Sequence, residues 1–206
     1  MAAETIKVQA DLRGFQKWAA RAVGRQVPFA TAKALTKTAL EARDAVRAGL
    51  PARFEIRSTW TARGVTINPA SKSDYPNAYA EVGTRHEWMV LQETGGAKAP
   101  KYAGSLAIPT KAGQKYPVVR RTSSGKIPKR GRPKALLKSG KAFEQDGEIR
   151  LRAKDGTAPP AFFLRPRATV RPRFEFRETV DALVARRFGP IFRDALETAL
   201  KPRAGR

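Results

Sequence analysis

The sequence predicts an α+β fold in which long N-terminal and C-terminal amphipathic helices pack on a small, mainly antiparallel sheet bearing a basic loop insertion. Three observations lead there. Apolar residues recur at three- and four-residue spacing over 28–50 and again over about 173–201. Between these stretches lie short β-like runs bounded by Gly, Pro and Asn. Finally, residues 94–143 contain no Asp or Glu but thirteen Lys or Arg, a run that cannot neutralise itself.

Taken in order, residues 5–12 alternate weakly through Ile6, Val8, Ala10 and Leu12, as a short edge strand would. Residues 14–24 place Phe15, Trp18, Ala19 and Ala22 on one side of a short helix. Pro28 suits the first turn of the next helix. From there Leu35, Ala39, Ala42, Val46 and Leu50 step by 4, 3, 4 and 4 along one face, and Gly49 and Pro51 close it. Residues 65–67, 78–82, 89–92 and 105–108 read as short strands. Val118, Val119 and Ile127 flank Thr122-Ser123-Ser124-Gly125, which reads as a hairpin tip. Residues 148–152 alternate as a half-exposed strand, and 161–164 form a compact apolar one after Pro159-Pro160. In the last element Phe176, Val180, Leu183, Val184, Phe188, Ile191, Phe192, Ala195, Leu196 and Ala199 share a face. Gly189-Pro190 is expected to kink or split it. The expected organisation is one α+β domain over 1–206, with a flexible basic insertion at 111–141 and a disordered tail at 202–206.

Charge dominates the functional reading. The chain carries 41 Lys and Arg against 18 Asp and Glu, a net +23 far beyond what solubility requires. Such self-repulsion weakens a fold unless something anionic binds. With no cysteine, disulfides, thiolate catalysis and Cys-ligated zinc are excluded. The first 15 residues lack the apolar stretch of a signal peptide, and no window approaches a membrane span. Synthesis in a cytosol, with no membrane contact, is the expectation.

Lys129-Arg130-Gly131-Arg132-Pro133-Lys134 is the sharpest local motif. It resembles the core of an AT-hook, where extended backbone around Gly lets two arginines enter the narrow minor groove of A·T-rich DNA. The competing reading is a solvated basic loop that docks on phosphate or carboxylate. With Arg120, Arg121 and Lys126, the cations Lys129, Arg130, Arg132 and Lys134 make the first candidate contact set. Arg165, Arg167, Arg171 and Arg173 make the second, on a Pro-punctuated connector, since Arg binds phosphate and carboxylate bidentately. The alternative there is a stiff connector kept wet by its arginines.

Catalysis finds little support in the residue pattern. His86 is the only histidine, and without Cys it builds no ordinary zinc site. Asp146-Gly147-Glu148-Ile149-Arg150 faintly resembles an acidic nuclease core, but Arg150 stands where a catalytic Lys would sit. No phosphate-cradling glycine loop is present, and Gly95-Gly96 reads as a turn. No catalytic residue, metal site or cofactor is expected, and the chain is not read as an enzyme.

Several segments in order carry a resemblance: Pro28-Phe29-Ala30-Thr31-Ala32-Lys33-Ala34-Leu35-Thr36-Lys37-Thr38-Ala39, then Tyr79-Ala80-Glu81-Val82-Gly83-Thr84, Leu91-Gln92-Glu93-Thr94-Gly95-Gly96, Leu106-Ala107-Ile108-Pro109 and Phe163-Leu164-Arg165-Pro166. This order resembles the minor tail protein Z and tail-completion (head-tail joining) proteins of tailed bacteriophages. The resemblance implies a structural virion protein of the tail or neck that joins the tail to the head connector. It implies a homo-oligomeric ring of about six copies, with tail terminator, tube and head-connector proteins as partners. It supplies no active-site residues and does not account for 111–141. The basic surface fits genomic DNA or acidic neighbouring subunits. The other reading is a non-virion DNA-binding or packaging protein that uses the AT-hook-like segment.

Overall fold

The computed structural model describes residues 5–8, 24, 26–101 and 104–201. Residues 9–23, where a helix and part of a strand are expected, and the tail at 202–206 lie outside them. The chain divides into two compact units, one formed by Met1–Thr94 with Pro172–Arg206 and one by Gly95–Arg171.

In the first unit, β1 (Thr5–Val8), β2 (Val65–Asn68) and β3 (Ala80–Thr84) form an antiparallel sheet in the order β1-β3-β2. Ala80, Val82 and Thr84 alternate inward along β3, the two-residue period of a half-buried strand. Helix α1 (Gln26–Arg53) and helix α6 (Phe176–Leu200) pack together and on this sheet. The stripe read from Leu35 to Leu50 is buried throughout, with Ala30, Thr31, Ala32, Ala34 and Thr38 widening it. Small residues on α1 let α6 approach closely, and Ile191 and Ala195 fill the space beside Ala30 and Ala34. The buried Thr38 hydroxyl donates to Ala34 O at 2.8 Å, so its burial leaves no orphan group. Two short helices, α2 (Trp60–Arg63) and α3 (Glu87–Thr94), complete the unit.

Helix α6 is continuous across Gly189-Pro190, so of the expected kink or split the split does not occur. Pro190 removes one helical hydrogen bond, but Ile191 and Ala195 are buried and Phe188 and Leu196 pack with them. That tertiary burial outweighs the local helix penalty. Residues 89–92 are helical rather than extended. Glu, Met, Leu and Gln favour helix over so short an apolar run, and Met89 is fully buried there.

In the second unit, β4 (Gly96–Lys98) pairs antiparallel with β9 (Ala168–Val170). A four-stranded antiparallel sheet in the order β5-β8-β7-β6 comprises β5 (Leu106–Pro109), β6 (Ala142–Gln145), β7 (Glu148–Leu151) and β8 (Pro160–Arg165). One-turn helix α4 (Lys111–Gln114), a 3-10 turn (Lys129–Gly131) and helix α5 (Pro133–Lys138) occupy the stretch expected to be a flexible loop. Val119 and Leu136 are fully buried with Ala142, Ile149, Leu151, Ala161 and Phe162 in a core of the unit's own, so apolar anchors stand within the basic stretch. The inserted unit is all of Gly95–Arg171, wider than 111–141.

Candidate functional site

The first cationic set is mounted on defined backbone. Thr110 caps α4 by accepting from Gly113 N at 2.8 Å, and its hydroxyl donates to Pro160 O. The Gln114 amide donates to Val119 O at 3.1 Å and its carbonyl accepts from Arg121 N at 3.3 Å. Arg121 reaches Gly125 O at 2.7 Å, Arg120 reaches Lys115 O at 3.1 Å, and Thr122 N donates to Lys126 O at 2.9 Å. The expected hairpin tip is therefore a turn without flanking strands, with Gly125 at φ 77°.

The Arg-Gly-Arg motif is not extended. Lys129, Arg130 and Gly131 form the 3-10 turn, and Arg132 is the N-cap of α5. Gly131 is buried so tightly that a Cβ there would fall 1.7 Å from Val118 O. This contact brings 118–121 and 129–132 together and excludes the AT-hook conformation from the folded unit. Arg120, Arg121, Lys126, Lys129, Arg130, Arg132 and Lys134 are all exposed. None of the seven has a carboxylate partner among the described residues.

The second set is divided. Arg165, Arg167 and Arg171 belong to the inserted unit, and Arg173 to the helical one. The stretch expected as an extended connector contains β9, paired with β4. Arg165 lies over the Phe163 ring at 5.3 Å. Arg173 lies over Phe54 at 4.7 Å while its Nε donates to the Gln92 side chain at 2.9 Å. Arg165, Arg167, Arg171 and Arg173 are exposed, but Arg173 also serves the fold.

The nuclease-like acids have structural duties. Asp146 and Gly147, at φ 50° and 72°, make the two-residue turn between β6 and β7, and Glu148 pairs with Arg150 at 2.8 Å. Among the described residues no three His, Cys, Asp or Glu side chains are grouped to hold a metal ion, and no helix is long and apolar enough to cross a membrane.

Two features of the helical unit are invisible to sequence reasoning. An open apolar groove of about 600 Å³ runs beside Phe29, Leu40 and Ala70, with Lys33, Lys37 and Lys72 on it. The second is an aromatic cluster in which His86 stacks on Trp60 with ring centroids 3.7 Å apart. Its parts are distant in sequence, and only the basic-aromatic text Arg85-His86-Glu87-Trp88 hints at it. No family model, curated protein or solved structure matches the chain.

Proposed function

We propose that this chain is a structural virion protein of a tailed bacteriophage, a non-enzymatic tail-completion or neck component that joins the tail to the head connector. In this reading it works as a ring of about six copies, against tail terminator, tube and head-connector proteins, and its basic surface meets genomic DNA or acidic neighbouring subunits. The observation that carries it is the inserted unit itself: a folded scaffold that holds seven cations outward, none of them paired with a carboxylate among the described residues. A surface pre-formed in this way binds a polyanion without the ordering cost that a flexible loop incurs. The segment order that resembles tail-completion proteins supplies the setting. The free DNA-binding reading through an AT-hook is weaker, because Gly131 is locked into a turn.

Particles purified from the source phage decide the matter. The chain is expected in them at a few copies each. A variant with Arg120, Arg121, Lys126, Lys129, Arg130, Arg132 and Lys134 changed to Ser or Gln is expected to fold normally, since exposed changes shift stability by within about 0.5 kcal/mol each. Its particles should join poorly or leak DNA. Absence of the chain from particles overturns the virion reading, and normal joining with full DNA retention in the variant overturns the role given to the basic surface.

A further inference from the structure

The aromatic cluster of the helical unit is built in an unusual way for a core. Trp60 is 58 % exposed and Trp88 38 % exposed, so two of the largest apolar side chains sit at the surface. They are not loose. His86 stacks on Trp60 at 29°, and Trp88 lies 6.2 Å from His86 at only 16°, so the three rings are roughly parallel. Trp88 meets Phe54 edge-on at 6.1 Å, and Phe54 meets Phe174 at 6.1 Å, which roots the array in the core.

The middle ring is fixed from three sides. His86 Nε2 lies 3.1 Å from Trp60 O, and His86 N donates to Thr84 Oγ1 at 3.3 Å. Gly64 supplies the third constraint: a Cβ there would fall 2.0 Å from His86 Nε2, so only glycine lets the imidazole lie against that backbone. Exposed cations flank the rings in sequence. Arg63 follows Trp60 by three residues in α2, Arg85 precedes His86, and Arg57 is shared with Glu55 at 2.5 Å.

We propose that Trp60, His86 and Trp88 form a stacking platform for unpaired bases of single-stranded nucleic acid, with Arg57, Arg63 and Arg85 taking the flanking phosphates. Every base has a π-face, so exposed tryptophan stacks on it without reading sequence, and arginines beside the ring follow the backbone. Duplex DNA hides its base faces and gains nothing from the platform. The net charge of +23 favours a polyanion over a neutral protein surface. This site belongs wholly to the helical unit and does not rest on the virion reading.

The test is fluorescence anisotropy of the full chain with a labelled oligothymidylate of about 15 nucleotides and with a duplex of the same length, at one fixed salt concentration. It is repeated with the seven basic-unit cations substituted, so that their charge does not mask the platform. Trp60→Ala should weaken single-strand binding roughly 5- to 150-fold, the loss expected for one stacked base, and leave duplex binding unchanged. Trp60→Phe should recover most of it. Because Trp60 is more than half exposed, its variants decide the question even where Trp88→Ala, which loses the Phe54 contact, unfolds. Wild-type single-strand affinity in Trp60→Ala overturns the proposal. So does an equal loss for single strand and duplex.

Discussion

Across the helical unit Arg187 donates to Glu41 at 2.8 Å between α6 and α1, and Arg53 reaches Glu175 at 2.6 Å. In Gly95–Arg171, Arg120 and Arg121 turn instead to backbone carbonyls. The difference follows from composition: Gly95–Arg171 has 19 Lys or Arg against 4 Asp or Glu, whereas the rest of the chain has 22 against 14. Their cores differ as well. Sixteen buried residues cluster around the sheet and helices of the first unit, and seven hold the second. A unit with the larger core and ion pairs between its helices leans less on a partner for stability. One with a small core and uncompensated cations gains most from an external anion. The larger core and the seven-cation surface thus belong to different units.

The largest effect should come from striking the smaller core. Phe162 is 1 % exposed and pairs in register with Ile149 and Pro109. Phe162→Ala should cost about 3–5 kcal/mol, as aromatic-to-alanine changes in cores do. Trypsin should then cut within 95–171 while the helical circular dichroism signal of α1 and α6 survives. Loss of the helices in the same transition would mean the two units are one cooperative block.

Gly131→Ala comes next. The added methyl would collide with Val118 O, a backbone atom that cannot swing aside, so a cost of about 1–3 kcal/mol is expected. Amide hydrogen exchange should rise over 118–134. A silent substitution would restore the picture of a free Arg-Gly-Arg hook.

How much of this was legible depended on periodicity. The stripe from Leu35 to Leu50 and the run from Phe176 to Ala199 mark both long helices, because burial repeats with the helix turn. In the inserted unit the strands are three to six residues long, too short for a period to assert itself. Its clearest local signal went unused: Asp146-Gly147 between Gln145 and Glu148 is a two-residue hairpin loop, and it would have placed β6 beside β7. Val119 and Leu136 look like stray apolar residues in a basic run until folding brings them to Phe162. The exposed cations themselves were legible, since nothing nearby in sequence competes for them. The Trp60–His86–Trp88 array was not, because its members are brought together by the turn at Gly64 and the end of β3.

A smaller effect is expected at the start of α6, which sequence assigns no side-chain cap. Glu93 of α3 accepts from Phe176 N at 2.8 Å and from Arg177 N at 3.0 Å, meeting two of the helix's orphan donors with a negative charge. Glu93→Ala should therefore cost about 1 kcal/mol, the usual loss for a cap. Glu93→Gln should lie between, because it keeps an acceptor but not the charge. Urea midpoints followed by helical signal would show this ordering. An unchanged midpoint in Glu93→Ala would make the cap dispensable.

The smallest effect separates the units by the chemistry of their carboxylates. Hydrogen bonding from the Arg187 guanidinium holds the Glu41 carboxyl below its ordinary value, and burial opposes it. In the inserted unit Asp155 is also lowered, but by the Thr157 hydroxyl and amide rather than by a cation. A depressed folded-state pKa stabilises the fold above the unfolded value, about 4.3 for Glu. That contribution fades as pH falls through the folded value. Wild type should thus exceed Glu41→Gln in stability at neutral pH and lose that margin as pH falls below the ordinary carboxyl value and through the folded one. The margin should be modest, since both partners reach solvent and salt screens them. Carboxyl titration by NMR sharpens the contrast. Arg187→Gln should raise Glu41 toward its ordinary value and leave Asp155 where it is, while Thr157→Val should do the reverse. If Arg187→Gln moved both carboxyls, the charges of the two units would be coupled and the division drawn between them would fail.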